Sequence, residues 1–193
     1  MINEDKKVVF IHLSKTGGIW SESILEKYGF EIINLKRRDG HIPNLPEYKN
    51  YFTFGFIRNP VAWYKSLYRF FKTNNWKLQS GRDFSDLKCN NINEFLDIIR
   101  EQNRFDLNKT YYEFFVKNPV SYIGKYENLY EDLDLCLKIN GINTSDLIKE
   151  KSKVFVNRSK KYSCELSQEN LDYIIDSCED IFTKFNYKKE DVE

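Results

Sequence analysis

The sequence predicts an α/β domain in three layers, with helices on both faces of a central, mainly parallel β-sheet. Two observations predict it. Short apolar runs typical of buried strands alternate with segments whose apolar residues recur at helical spacing. Glycine and proline stand at the ends of those segments, where helices stop and start. The 193 residues, 41% of them hydrophobic, suffice for one such domain over residues 1–193.

The first elements form a strand–loop–helix–strand unit. The apolar run of residues 8–13 predicts a buried strand, and a loop with two glycines follows at 14–18. A helix is expected over residues 20–28, ended by Gly29, and a second strand over 30–35. This unit is typical of parallel sheets.

The middle of the chain continues the alternation. A polar loop over residues 36–50 leads to an aromatic-rich strand over 51–57. A helix then begins near Pro60 and runs to about Thr73. The polar, irregular stretch of residues 74–91 is predicted to be a mobile loop.

The remaining elements are mostly helical. Helices are expected over 92–100, 109–116, 129–139 and 167–185, with a fourth strand over 120–124. Residues 140–163 give no clear pattern.

Composition excludes several classes of protein. The net charge is +1, from 30 basic and 29 acidic residues, so a general nucleic-acid binder is not expected and any anion site must be local. No apolar run reaches the ~20 residues of a membrane span, and the first residues lack a signal-peptide pattern, so a cytoplasmic protein is expected. Four cysteines without a CxxC pair and two histidines argue against zinc and for free, mostly buried thiols.

The loop Ser14-Lys15-Thr16-Gly17-Gly18, called here the Lys15 loop, predicts an anion site. Backbone N–H groups at the helix start and the helix dipole favour an anion there, and Lys15 adds a positive charge. Glycine allows close approach of the backbone. The loop is not a Walker A sequence, because Lys15 precedes both glycines, and it is not GxGxxG.

A second anion-binding element is predicted at Arg58. It stands at the carboxyl end of a strand, where open α/β sheets bind ligands, and its guanidinium suits two-point binding of a phosphate. Pro60 opens the next helix, and Ser66 follows eight residues after Arg58, two helical turns along.

The two elements together resemble sulfotransferases that use 3′-phosphoadenosine 5′-phosphosulfate (PAPS), especially the carbohydrate branch. Lys15-Thr16-Gly17-Gly18 is similar to the family's 5′-phosphosulfate loop, and Arg58 with Ser66 to its 3′-phosphate element. The resemblance implies a P-loop-like fold, PAPS as donor without a metal, and transfer to a hydroxyl of a carbohydrate or small metabolite.

The resemblance also implies a set of donor-binding residues. Three of them belong to a basic segment that is similar to the family's C-terminal closure over the 3′-phosphate. The implied set is Lys15, Thr16, Gly17, Gly18, Ile19, Trp20, Arg58, Ser66, Asn157, Arg158 and Ser159. Ile19 departs from the family, which often has a hydroxyl residue there. Residues 122–129 are similar to a late family element and are interpreted as structural.

Catalysis would use Lys15 to stabilise the departing phosphate and His41 as the general base. His41 is preferred because related carbohydrate sulfotransferases carry a histidine in a comparable loop. His12 is interpreted as a support residue, and Asp39 and Glu113 are the alternative bases.

Two other functions stay open. An atypical phosphotransferase would need carboxylates for Mg²⁺, yet Arg58 stands where the strand ends. A non-catalytic nucleotide-binding module is favoured by Ile19 and disfavoured by His41. The sequence does not decide whether the acceptor is a glycan, a small hydroxylated metabolite or a phenol, and it does not predict the oligomeric state. Five aromatic residues are candidates for an acceptor pocket or for the core: Tyr64, Tyr68, Trp76, Tyr111 and Tyr112.

Overall fold

Residues 1–32, 46–78, 80–153 and 162–188 are described by the structure, a computed structural model. Several predicted features fall outside them, including most of the strand expected over residues 30–35. The predicted site residues outside the described part are Asp39, His41, Asn157, Arg158 and Ser159.

The chain forms two compact units, each built from two separated stretches. The first unit contains Met1–Arg58 and Tyr111–Val156, and the second contains Asn59–Thr110 and Asn157–Glu193. The single domain expected over residues 1–193 stays a prediction.

The first unit contains an open sheet of four strands in the order β1-β2-β3-β4. The strands are β1 (Ile2–Asn3), β2 (Val8–Ile11), β3 (Phe52–Ile57) and β4 (Tyr122–Lys125). β2, β3 and β4 are parallel, and β1 pairs antiparallel with β2. An α/β fold with a mainly parallel sheet is therefore confirmed. The two residues of β1 were not predicted, because so short a strand carries no pattern.

Seven α-helices are described in these parts of the chain. They are α1 (Gly18–Leu25), α2 (Pro60–Thr73), α3 (Ile92–Glu101), α4 (Leu107–Tyr111), α5 (Leu129–Ile139), α6 (Gln168–Ser177) and α7 (Glu179–Lys184). Shorter 3₁₀ turns cover Glu26–Tyr28, Pro46–Tyr48, Ser85–Leu87, Tyr126–Asn128 and Leu147–Lys153. A π-helical turn, Tyr112–Val116, continues α4.

The helix predictions are confirmed with three differences. The helix expected over 109–116 begins at Leu107 and is π-helical from Tyr112. α1 begins earlier than expected and ends in the turn Glu26–Tyr28, after which Gly29 is left-handed at φ 77°. The helix expected over 167–185 is divided at Cys178, whose backbone leaves the helical region at φ −118°, ψ 22°. Serine and cysteine, which meet at this break, are both modest helix formers.

Aromatic residues fill one face of the sheet in the first unit. Phe10, Phe54 and Phe56 are at most 2% exposed. The ring of Phe10 lies 5.3 Å from that of Phe54 and 5.8 Å from that of Phe56. The same cluster contains Ile24 of α1 and Leu133 of α5, so these two helices cover this face.

Among the described residues, none of the helices has the length and the apolar composition that a membrane span requires.

The opposite face requires a glycine in β3. A Cβ on Gly55 would lie 2.6 Å from Cε1 of Phe115 and 2.7 Å from the carbonyl oxygen of Ile11. Phe115 therefore packs directly on the strand backbone, and the sheet is covered on both faces.

The second unit is helical and rich in aromatic contacts. Phe71 of α2 stacks on Trp76 with ring centroids 6.2 Å apart, and both contact Phe95 of α3. Trp76 and Leu87 are at most 3% exposed. The stretch of residues 74–91, which we expected to be irregular and mobile, is thus packed into the unit by its own apolar side chains.

Asp132 of α5 ties the helix to the end of β4. Its carboxylate accepts the backbone N–H of Lys125 at 2.6 Å and the hydroxyl of Tyr122 at 2.9 Å. A Cβ on Gly124 would lie 2.9 Å from the Cβ of Asp132. This close approach fixes where the chain leaves β4.

We expect Asp132→Ala to lower the free energy of unfolding by about 1–3 kcal/mol, because two partly buried donors lose their acceptor. Asp132→Asn is the matched control, since it keeps one oxygen acceptor and should cost less. Urea denaturation measures both. Equal stability of the alanine variant and the wild type would contradict this role.

Candidate anion-binding site

Three chain segments meet at one edge of the sheet in the first unit. Because β2, β3 and β4 are parallel, their carboxyl ends share that edge. The Lys15 loop follows β2, Arg58 follows β3 and Tyr126 follows β4. The structure therefore brings together the two elements that the sequence predicted separately.

Left-handed backbone shapes the Lys15 loop. Lys15 has φ 65° and Gly17 has φ 83°. Between them, Thr16 is buried and its hydroxyl donates to the carbonyl oxygen of Leu13 at 2.6 Å. This hydrogen bond closes the loop on the end of the strand.

The loop leads directly into the amino terminus of α1. Gly17 is the N-cap residue, and no side chain of the described residues caps the helix there. The first intrahelical bond runs from the N–H of Ser21 to the carbonyl oxygen of Gly17, at 3.1 Å. The preceding N–H groups and the helix dipole form the kind of helix start that binds anions.

Two cations stand together at this edge. Arg58 donates from Nη1 to the carbonyl oxygen of Lys15 at 3.3 Å. Burial, and to a smaller extent the nearby charge of Arg58, together lower the pKa of Lys15 to about 8. An anion bound between them would relieve this repulsion.

The ring of Tyr126 contacts both halves of the site. The guanidinium carbon of Arg58 lies 4.1 Å from its centroid, a cation–π contact. A Cβ on Gly17 would lie 3.2 Å from Cδ2 of Tyr126 and 2.4 Å from Cδ2 of Leu129. The sequence analysis interprets residues 122–129, which include Tyr126, as mainly structural. The missed signal was an aromatic residue directly after the third parallel strand.

His12 is half-buried, packed and hydrogen-bonded, as the sequence predicted. Its Nδ1 lies 2.8 Å from Oε1 of Glu22 on α1, and its side chain is 11% exposed. Glu22 itself was not predicted, because a carboxylate on a helix carries no local sign of a distant partner.

The other predicted donor residues differ in exposure. Ile19 is 65% exposed in the first turn of α1, whereas Trp20 is 8% exposed and belongs to the core cluster. The indole N–H of Trp20 has no hydrogen-bond partner within the described part of the chain. Ser66 is half-buried on α2, in the second unit. Donor contacts of these residues stay predictions.

Of the described candidates for the base and the acceptor pocket, Glu113 lies on the surface and most of the aromatic residues lie in the core. Glu113, an alternative base, lies 3.1 Å from Lys117 in a surface ion pair. Among the five aromatic candidates, Tyr112 is 53% exposed. The others are core residues at most 4% exposed: Tyr64, Tyr68, Trp76 and Tyr111.

The sequence predicted that the four cysteines are free thiols and mostly buried. All four cysteines are free, and three are buried, as predicted: Cys136, Cys164 and Cys178. Burial raises the pKa of Cys89, the fourth, to about 11. Within the described ranges, no group of three or more histidine, cysteine, aspartate or glutamate residues is arranged to hold a metal ion.

No protein-family model, curated protein or solved structure matches the chain.

We expect the affinity of the site for sulfate to fall about ten-fold between pH 7 and pH 9. Lys15 is charged below its pKa of about 8 and neutral above it, and the neutral form loses its attraction for the anion. Sulfate stays doubly ionised over this range, and an NMR titration measures its binding.

The matched control is Lys15→Arg, whose charge persists at pH 9, so its sulfate affinity should stay constant. An equal decrease in both proteins would assign the pH dependence to another group.

Proposed function

We propose that the chain is a sulfotransferase that moves the sulfuryl group of PAPS to an acceptor hydroxyl. The observation that carries the proposal is the hydrogen bond from Arg58 to the carbonyl oxygen of Lys15. It joins two anion-binding elements that lie 43 residues apart in the chain. Each follows a parallel strand, and each is similar to one half of the PAPS site.

The donor has two anionic groups, which match the two elements. In this proposal the 5′-phosphosulfate lies on the Lys15 loop, at the start of α1, in a P-loop-like arrangement. The 3′-phosphate is bound by the guanidinium of Arg58. A hydroxyl donor from Ser66 stays a prediction. The cation–π contact with Tyr126 keeps that guanidinium in place.

The transfer needs alignment and charge stabilisation more than covalent help from the protein. The acceptor oxygen attacks sulfur while the bond from sulfur to the 5′-phosphate oxygen breaks, and the acceptor proton goes to a base. Lys15 and the loop N–H groups stabilise the charge that builds on the departing phosphate. His41 is our candidate base, and it lies outside the described residues.

The alternative functions are less well supported by the site. A phosphotransferase would need carboxylates to hold Mg²⁺ beside the phosphates, whereas the residue that follows β3 is Arg58. A non-catalytic PAPS-binding module is favoured by the exposed Ile19, which offers no hydroxyl to the donor. A carbohydrate or small metabolite as acceptor, and a cytoplasmic location, stay predictions.

We expect the desulfated donor product, 3′-phosphoadenosine 5′-phosphate (PAP), to bind the wild-type protein more tightly than ATP with Mg²⁺. Arg58→Ala should weaken PAP binding about ten- to a hundred-fold, since a charge-assisted hydrogen-bond pair is lost. Isothermal titration calorimetry measures both ligands.

Arg100→Ala is the control, because Arg100 makes a surface ion pair with Asp97 on α3 and such pairs contribute little. Its PAP affinity should equal that of the wild type. Binding of ATP alone, or of neither nucleotide, would overturn the sulfotransferase proposal.

His41→Ala distinguishes an enzyme from a binding module. An enzyme that uses His41 as base should lose about 10²–10⁴ in transfer rate while its PAP affinity stays within a few-fold. The measurement pairs PAP titration with an acceptor screen using radiolabelled PAPS. Transfer at the wild-type rate in the variant would remove His41 from the mechanism.

A further inference from the structure

His12 occupies the space that a side chain at position 18 would need. A Cβ on Gly18 would lie 1.7 Å from Nε2 and 2.2 Å from Cε1 of the His12 imidazole. The left-handed glycines of the described residues do not include Gly18, so its backbone conformation does not demand glycine. The imidazole ring therefore packs on the backbone of the first residue of α1.

Glu22 fixes the orientation of that ring. Nδ1 of His12 lies 2.8 Å from Oε1 of Glu22, and Glu22 stands four residues after Gly18, on the same side of α1. The ring also stacks on Phe10 of β2, with centroids 6.0 Å apart and planes at 19°. The imidazole is thus in contact with the strand on one side and with two turns of the helix on the other.

We infer that His12, held by Glu22, is a positioning residue that fixes the first turn of α1 relative to the end of β2. The N–H groups of that turn are the candidate anion donors of the Lys15 loop. Binding sites need their donors held within about 0.5 Å of the productive position, and buried hydrogen-bonded neighbours supply that precision. The inference rests on the proposed function only for the identity of the anion.

Positioning and simple electrostatics predict opposite effects for Glu22. The carboxylate stands one helical turn beyond the anion-binding N–H groups, so its charge opposes a bound anion. If charge alone mattered, removing Glu22 would strengthen anion binding. If Glu22 positions His12, removing it weakens binding, because the helix start loses its support.

The first experiment measures PAP affinity by calorimetry at neutral pH. We expect Glu22→Ala to raise the dissociation constant about ten- to a hundred-fold, as loss of a supporting hydrogen-bond partner does in metal sites. Glu22→Gln should stay within about three-fold of wild type, since its amide oxygen still accepts from His12.

Glu26→Ala is the matched control. Glu26 is exposed and lies one helical turn further along, and its substitution removes the same charge as Glu22→Ala. Its affinity should equal that of the wild type. Unchanged or tighter binding by Glu22→Ala, or equal weakening by Glu26→Ala, would overturn the inference.

A second readout needs no PAP. The N–H of Ser21 closes the first turn of α1 on the carbonyl oxygen of Gly17 at 3.1 Å. Hydrogen exchange of this amide should be faster in Glu22→Ala and unchanged in Glu26→Ala. If the wild type fails to bind PAP, the proposed function is wrong, but the exchange rate of the Ser21 amide still tests the positioning role of His12 and Glu22. Equal exchange rates in Glu22→Ala and Glu26→Ala would overturn that role.

A double-variant cycle tests the contact between His12 and Gly18 directly. Gly18→Ala should lower the melting temperature by about 5 °C or more, because the added methyl group meets the imidazole. In the His12→Ala background the same substitution should cost less than half as much. An equal loss in both backgrounds would show that His12 does not impose glycine at position 18, and would overturn the inference.

Discussion

The parallel pairing of β2, β3 and β4 is the constraint on which the candidate site depends. The carboxyl ends of parallel strands lie at the same edge of a sheet. Residues that follow these strands therefore come together in space although they are far apart in sequence. Lys15, Arg58 and Tyr126 each follow one of these strands. An antiparallel β3 would have sent Arg58 to the other edge, and the two cations would not have met.

The convergence carries an electrostatic cost. Lys15 is half-buried beside Arg58, and its pKa is lowered first by burial and then by the charge of Arg58. The cation–π contact of Arg58 with Tyr126, typically about 0.5–2 kcal/mol, offsets part of this cost. An anionic ligand would offset more, because it adds opposite charge between the two cations. A bound phosphate would therefore gain most where the two positive charges lie closest, as expected of a candidate anion site.

Glycine marks the places where side chains pack on backbone. Gly17 faces the ring of Tyr126, Gly18 faces His12, and Gly55 faces Phe115. In each case a methyl group would overlap a neighbour that comes from a distant part of the chain or from the preceding strand. Two of these three glycines lie at the start of α1, so the precision of the anion site depends on close packing from both the sheet and the turn after β4.

The amino-acid sequence by itself determined the order of the helices and of the three parallel strands β2, β3 and β4, and the positions of Lys15 and Arg58 after two of them. These features follow from local apolar periodicity and from glycine and proline at segment ends. The helix break at Cys178 escaped prediction, because the apolar pattern continues through it.

Tertiary structure alone decided the contacts that Tyr126 and Glu22 make. Each contacts a residue that local periodicity cannot relate to it: Tyr126 contacts Arg58, and Glu22 contacts His12. Such contacts depend on how the sheet and α1 pack together, and packing is set by the shapes of side chains far apart in sequence. A tyrosine after a strand and a glutamate on a helix look ordinary until the folded chain supplies their partners.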